Sequence, residues 1–167
     1  MSINTTNFEL PKYFYEVIVT YSSEKNLKNF NIDLEKLDIS TINDLAKFSY
    51  VSEENKTKEK AIFCLNSNSI NYLKLLFLKS EFTLNIKVSE ITEKILNGEY
   101  HNENFWFNIE NVHDDDILSD DERDFFLKYI QENSTLDNVL SKLYKKGMEN
   151  LLKPEVEILN LVSLDNI

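Results

Sequence analysis

The chain has 167 residues, 42% of them hydrophobic and 12% aromatic, with a formal net charge of −11. That composition is enough for a core needing neither metal nor disulfide, and the acidic balance argues against direct binding of nucleic acid or anionic membrane, both polyanions. The lone Cys64 excludes an internal disulfide and a cysteine-based zinc site, and no apolar run approaches the roughly 20 residues that span a bilayer.

Only two Gly and two Pro occur, so chain reversals must be built with Asn, Asp and Ser. Met1 to Glu9 holds no basic region followed by an apolar one, so no leader is expected and the expected location is cytoplasmic.

Residues 11 to 21 alternate and are rich in aromatic and β-branched side chains, which predicts a strand. Tyr13, Tyr15, Val17, Val19 and Tyr21 would line one face; Phe14, Glu16, Ile18 and Thr20 the other. Leu27, Phe30, Leu34 and Leu37 suit one face of a helix. Ile42, Leu45, Ala46 and Phe48 suit a short amphipathic turn after the caps at 38–41. Ser52 to Lys60 is charged and apolar-free, as a solvated loop would be.

Ala61 to Leu65 is an apolar run of strand length, followed by a cap-rich turn and a helix over 70–79 with Ile70, Leu73, Leu76 and Phe77 inward. Phe82 to Val88 alternates as a half-buried strand. Ser89 would cap a short helix over Glu90 to Leu96 ending at Asn97-Gly98; a hairpin turning at Asn97-Gly98 is the rival reading. Phe105 to Ile109 predicts a further strand. Ser119 to Glu122 reads as a capping box opening a helix with Phe125, Phe126, Tyr129 and Ile130 buried. A second helix starts at Ser134-Thr135, with Leu136, Val139, Leu140, Leu143 and Tyr144 inward and Gly147 as its stop. Pro154 opens a third through Val156, Leu159 and Val162. The expected fold is α+β: a small sheet of about four strands packed with helices (1–112), followed by a C-terminal three-helix unit (113–167).

Charge is unevenly spread. Glu90 to Asp124 carries twelve carboxylates against Lys94 and Arg123, so ten of the eleven net negative charges fall there, and residues 1 to 89 are neutral overall. The same segment holds Trp106, His101 and His113. Asp114-Asp115-Asp116 invites a metal reading, but an EF-hand loop needs Gly at its sixth position and Glu at its twelfth. Neither the register from Asp114 nor that from Asp116 supplies both. His113-Asp114 lacks the helical surroundings and the further ligands of an HD-type site. Cys64, within an apolar strand, is a poor nucleophile partner for His101. Lys87 follows Asn85 where a two-carboxylate nuclease needs an acid. No Gly-rich phosphate loop fits two glycines, and the tyrosines of the first strand lack the basic groove of a stacking platform. Neither a catalytic site nor a cofactor is expected.

What remains is acidic charge beside Tyr100, Phe105, Trp106 and Phe107, the combination that binds a basic protein surface. The expected contact residues are Tyr100, Glu103, Trp106, Glu110, Asp114, Asp115, Asp116, Asp120, Asp121 and Asp124. The alternative is that Phe105 and Phe107 face the core and the acids are merely solvated. The leading expectation is a non-enzymatic inhibitor or masking protein, of the immunity-protein or phage-type nucleic-acid-mimic kind. An adaptor or structural subunit contacting its partner through the C-terminal helices ranks second, an enzyme with an unrecognised site third.

Overall fold

A computed structural model describes residues 11–22, 46–52, 57–78, 83–100 and 120–164. The protein is α+β and divides into two compact units, Met1–Glu90 and Ile91–Ile167. The boundary expected at 112/113 lies outside the described residues.

The first unit contains an antiparallel sheet of β1 (Lys12–Tyr21), β2 (Ala46–Ser52), β3 (Lys58–Asn66) and β4 (Thr83–Glu90) in the order β2-β3-β1-β4. β1 is central and pairs with β3 from Lys12↔Asn66 to Thr20↔Lys58. Its alternation does what the sequence implies: Tyr15, Val17, Val19 and Tyr21 share one face with Ala61, Phe63 and Leu65 of β3. Helix α1 (Ser67–Leu78) covers that face with Ile70, Leu73 and Phe77. Asn66 starts α1, its Oδ1 accepting from the Asn68 and Ser69 N–H groups at 3.0 and 2.9 Å, so two orphan donors of the first turn are satisfied. On the other face Phe14, Ile62 and Cys64 are fully buried, and Lys60 lies 3.8 Å from Glu16.

Three expectations are corrected here. Ala46 and Phe48 belong to strand β2, not to a helical turn. Local spacing of Leu and Phe could not reveal the partner edge of β3, with which β2 pairs from Ala46↔Cys64 to Ser52↔Glu59. For the same reason Lys58 to Lys60, read as loop, forms the start of β3: a polar stretch becomes strand when its ladder is completed on both sides. The short helix α2 (Thr92–Leu96) is capped at Ile91 with no side-chain bond, so Ser89 does not cap it and lies in β4. The helix expected between 22 and 37, the strand at 105–109 and Ser119 of the capping box lie outside the described residues.

The second unit adds helices α3 (Asp120–Asn133), α4 (Leu136–Lys146) and α5 (Lys153–Leu164), with a 3-10 turn at Met148–Asn150. α3 packs on α5, and α4 on both α5 and α2. Ile91, Ile95, Leu96, Phe126, Tyr129, Ile130, Val139, Leu151 and Leu152 are its buried apolar residues. Thr135 caps α4 in a reciprocal box with Asn138, and Gly147 at φ 85° ends it. The inward stripe of α4 differs from expectation: Leu140 and Tyr144 are 45% and 92% exposed, whereas Asn138 and Lys142 are buried. On α5 Val162 is 38% exposed and Glu155 fully buried. Hydrophobicity alone points the wrong way here, because buried polar groups that hydrogen-bond one another take the inner positions.

Candidate functional site

Helix α3 begins with Asp120, Asp121 and Glu122 in its first turn, where the helix dipole favours carboxylates. Its inner side is set by Phe126, Tyr129 and Ile130 at helical spacing. Phe125 stacks on Tyr129, with centroids 6.4 Å apart and planes 23° apart. That burial turns Asp120, Asp121 and Asp124 outward, all exposed. Arg123 donates to Asp120 Oδ1 at 3.1 Å, yet the Asp120 side chain is 89% exposed, so water screens most of that attraction. Among the described residues no cation is bonded to Asp121 or Asp124. The geometry is an acidic edge on a helix start, suited to long-range attraction of positive charge.

The turn after α2 supplies a second acidic position. Gly98 sits at φ 66° and donates to Ile95 O at 3.0 Å, while the Glu99 and Tyr100 N–H groups both donate to Lys94 O at 2.7 and 3.0 Å. This closes the helix end with glycine where a side chain would be strained. Glu99 is ion-paired with Lys145 of α4. The hydrogen bond from Lys145 and its positive charge hold the Glu99 carboxyl below the usual range. Tyr100 is half-exposed.

Behind this turn lies a polar network absent from the sequence reading. Asn138 Nδ2 donates to Asn97 Oδ1 at 2.9 Å and Glu93 Oε2 at 3.3 Å, while its Oδ1 accepts from the Thr135 N–H at 2.9 Å. One turn on, Lys142 Nζ donates to both oxygens of Glu155 at 2.8 Å, and Glu155 Oε2 also accepts from the Leu152 N–H at 2.7 Å. The Lys142 and Glu155 side chains are 7% and 0% exposed. A Cβ on Gly98 would lie 2.9 Å from Lys142 Cγ, so the turn rests directly on the lysine stem. This network ties α4 to α5 and to the turn; with the carboxylate fully engaged it is a positioning device for the acidic turn. Two signals foreshadow it: Lys142 falls three residues after Val139 on the inner stripe, and Glu155 occupies the third position of a helix that opens on Lys153-Pro154.

Of the ten expected contact residues, Asp120, Asp121 and Asp124 come together on α3, and Tyr100 follows the α2 turn. Glu103, Trp106, Glu110, Asp114, Asp115 and Asp116 lie outside the described residues. Among the described residues no cluster of three or more His, Cys, Asp or Glu could hold a metal ion, and no helix is long and apolar enough to cross a membrane. Burial pushes the Cys64 thiol up to about 12, so its thiolate is suppressed. On α4 the side opposite Lys142 presents Leu140 and Tyr144, followed by Met148 at 50% exposure. The chain matches no protein-family model, no curated protein and no solved structure.

Proposed function

We propose that this chain is a non-enzymatic interaction protein whose acidic segment engages a basic surface of a partner protein. It would inhibit or mask that surface as immunity proteins and phage-type nucleic-acid mimics do. The observation that carries the reading is the concentration of ten of the eleven net negative charges between Glu90 and Asp124. The outward projection of Asp120, Asp121 and Asp124 at the end of that segment supports it. Carboxylates on a helix whose other side is anchored by Phe126, Tyr129 and Ile130 would stand in for phosphates. Tyr100, and Trp106 as a desolvated anchor, would add contact area. The expected cellular setting is cytoplasmic, with no direct contact with nucleic acid and no cofactor.

The test is capture of partners from the native cell at low and at high salt, followed by mass spectrometry. A strongly basic protein retained at about 50 mM salt and released at about 500 mM fits the reading, because the Debye length falls severalfold over that range. A second reading, an adaptor that docks through the C-terminal helices, is favoured by one observation: the exposed Leu140, Tyr144 and Met148 on and after α4. Capture that survives high salt but is lost in Leu140→Ser/Tyr144→Ser selects this second reading.

A further inference from the structure

β4 forms one edge of the sheet. Its inner side pairs with β1 from Tyr15↔Glu90 to Thr20↔Asn85, and Leu84 is bulged out where the register shifts before Tyr21↔Thr83. A bulge and a lysine are common guards of a strand edge. Here Lys87 is the strand's one cation, and the bulge leaves Leu84 67% exposed. Ile86 and Val88 pack against the core yet remain only partly buried, and among the described residues no strand pairs with β4 on its outer side. Leu75 and Leu78 of α1, a helix that packs on β4, are 57% and 61% exposed. The rim of the core is thus apolar and unfinished along this edge.

A strand pairing antiparallel with its own copy must oppose residues of the same hydrogen-bonding parity, which limits the two-fold centre to a residue. Centred on Lys87 the pairing sets ammonium against ammonium, and centred on Val88 it sets Ile86 against a carboxylate at Glu90. A centre at Asn85 takes Val88 past the start of the strand. Centred on Ile86, it opposes Ile86 to its copy and Asn85 to Lys87, and brings Val88 level with the bulged Leu84; Ile86 and Val88 then lie on the α1 side and Asn85 and Lys87 on the other. Residues 1 to 89 carry no net charge, so this half adds no long-range repulsion to self-association. We propose that the exposed edge of β4 is a self-association surface, two copies of the chain pairing antiparallel about Ile86 to extend the four-stranded sheet to eight strands.

Sedimentation of the full chain over about 5–500 µM tests it, together with oxidative cross-linking of three single variants, Asn85→Cys, Ile86→Cys and Lys87→Cys. The native Cys64 is fully buried and does not compete. Either type of antiparallel pair places opposed Cα atoms within disulfide range. The expected results are a concentration-dependent dimer that salt does not dissolve, and a covalent dimer from Ile86→Cys alone. Leu84→Lys, at a site largely in solvent, should weaken association about tenfold or more with an unchanged melting temperature. A chain that stays monomeric throughout overturns the proposal and leaves the edge to an extended peptide of another protein. Preferential cross-linking at position 85 or 87 overturns it as well, by showing a different register. A dimer that dissolves with rising salt does the same, because it would arise from charge rather than from this edge.

Discussion

Lys142→Met removes the cation from a carboxylate that has no exposure of its own. In the native protein Glu155 accepts three hydrogen bonds, two from Lys142 at 2.8 Å and one from the Leu152 N–H at 2.7 Å. The substitution conserves the stem that underlies Gly98 but strips two of the three donors, leaving a charge at 0% exposure with one main-chain partner. Breaking a buried pair from one side costs about 3–5 kcal/mol, whereas exchanging both partners for apolar groups of similar volume is often neutral. Lys142→Met/Glu155→Leu should therefore recover most of the loss and fall within about 1 kcal/mol of the native protein, the hydrogen bond from the Leu152 N–H being the main interaction not restored. The assay is urea unfolding followed by far-ultraviolet circular dichroism, read on the transition of the second unit. With a slope of about 1.5 kcal/mol per molar, the single variant should shift the midpoint down by about 2–3 M. A single variant costing less than about 1 kcal/mol, or a double variant no better than the single one, would refute the burial of this pair.

Gly98→Ala should cost about 1–2 kcal/mol, since it puts a Cβ 2.9 Å from Lys142 Cγ at φ 66°; a thermal melt unchanged from native would contradict the close packing of that turn. Cys64 should resist alkylation at pH 8 until the chain unfolds, in step with its thiol being raised from 9.0 to about 12 by burial. The sign follows from the neutral form being the folded one: this contribution is complete below pH 9 and is lost as pH rises from 9 towards 12, at about 1.4 kcal/mol per unit. Native protein should thus lose stability more steeply than Cys64→Ala in that window, and parallel profiles would count against it. Asp121→Asn/Asp124→Asn should change stability by less than about 1 kcal/mol while slowing association with a basic partner, the difference shrinking as salt rises; equal association rates at low salt would remove α3 from the contact. Leu140→Ser/Tyr144→Ser should stay within about 0.5 kcal/mol of native in urea unfolding, as exposed positions do.

Local pattern carried much of what proved legible. The period-two alternation of residues 12 to 21 identified β1 and the face that Tyr15, Val17, Val19 and Tyr21 turn to the core, because a strand's two faces are fixed by geometry once one of them is buried. The start of α4 at Thr135 and its end at Gly147 were likewise readable, since caps depend on neighbours in sequence. So was the uneven charge, a property of composition. What only the tertiary structure decided are relations across long sequence separations. β2 is a strand because the edge of β3 lies beside it. Lys142 and Glu155 are inside, and Leu140 and Tyr144 outside, because two charged groups 13 residues apart meet in a bidentate hydrogen-bonded pair. A hydrophobicity pattern ranks each residue by its own cost of burial; it does not contain the partner that offsets that cost.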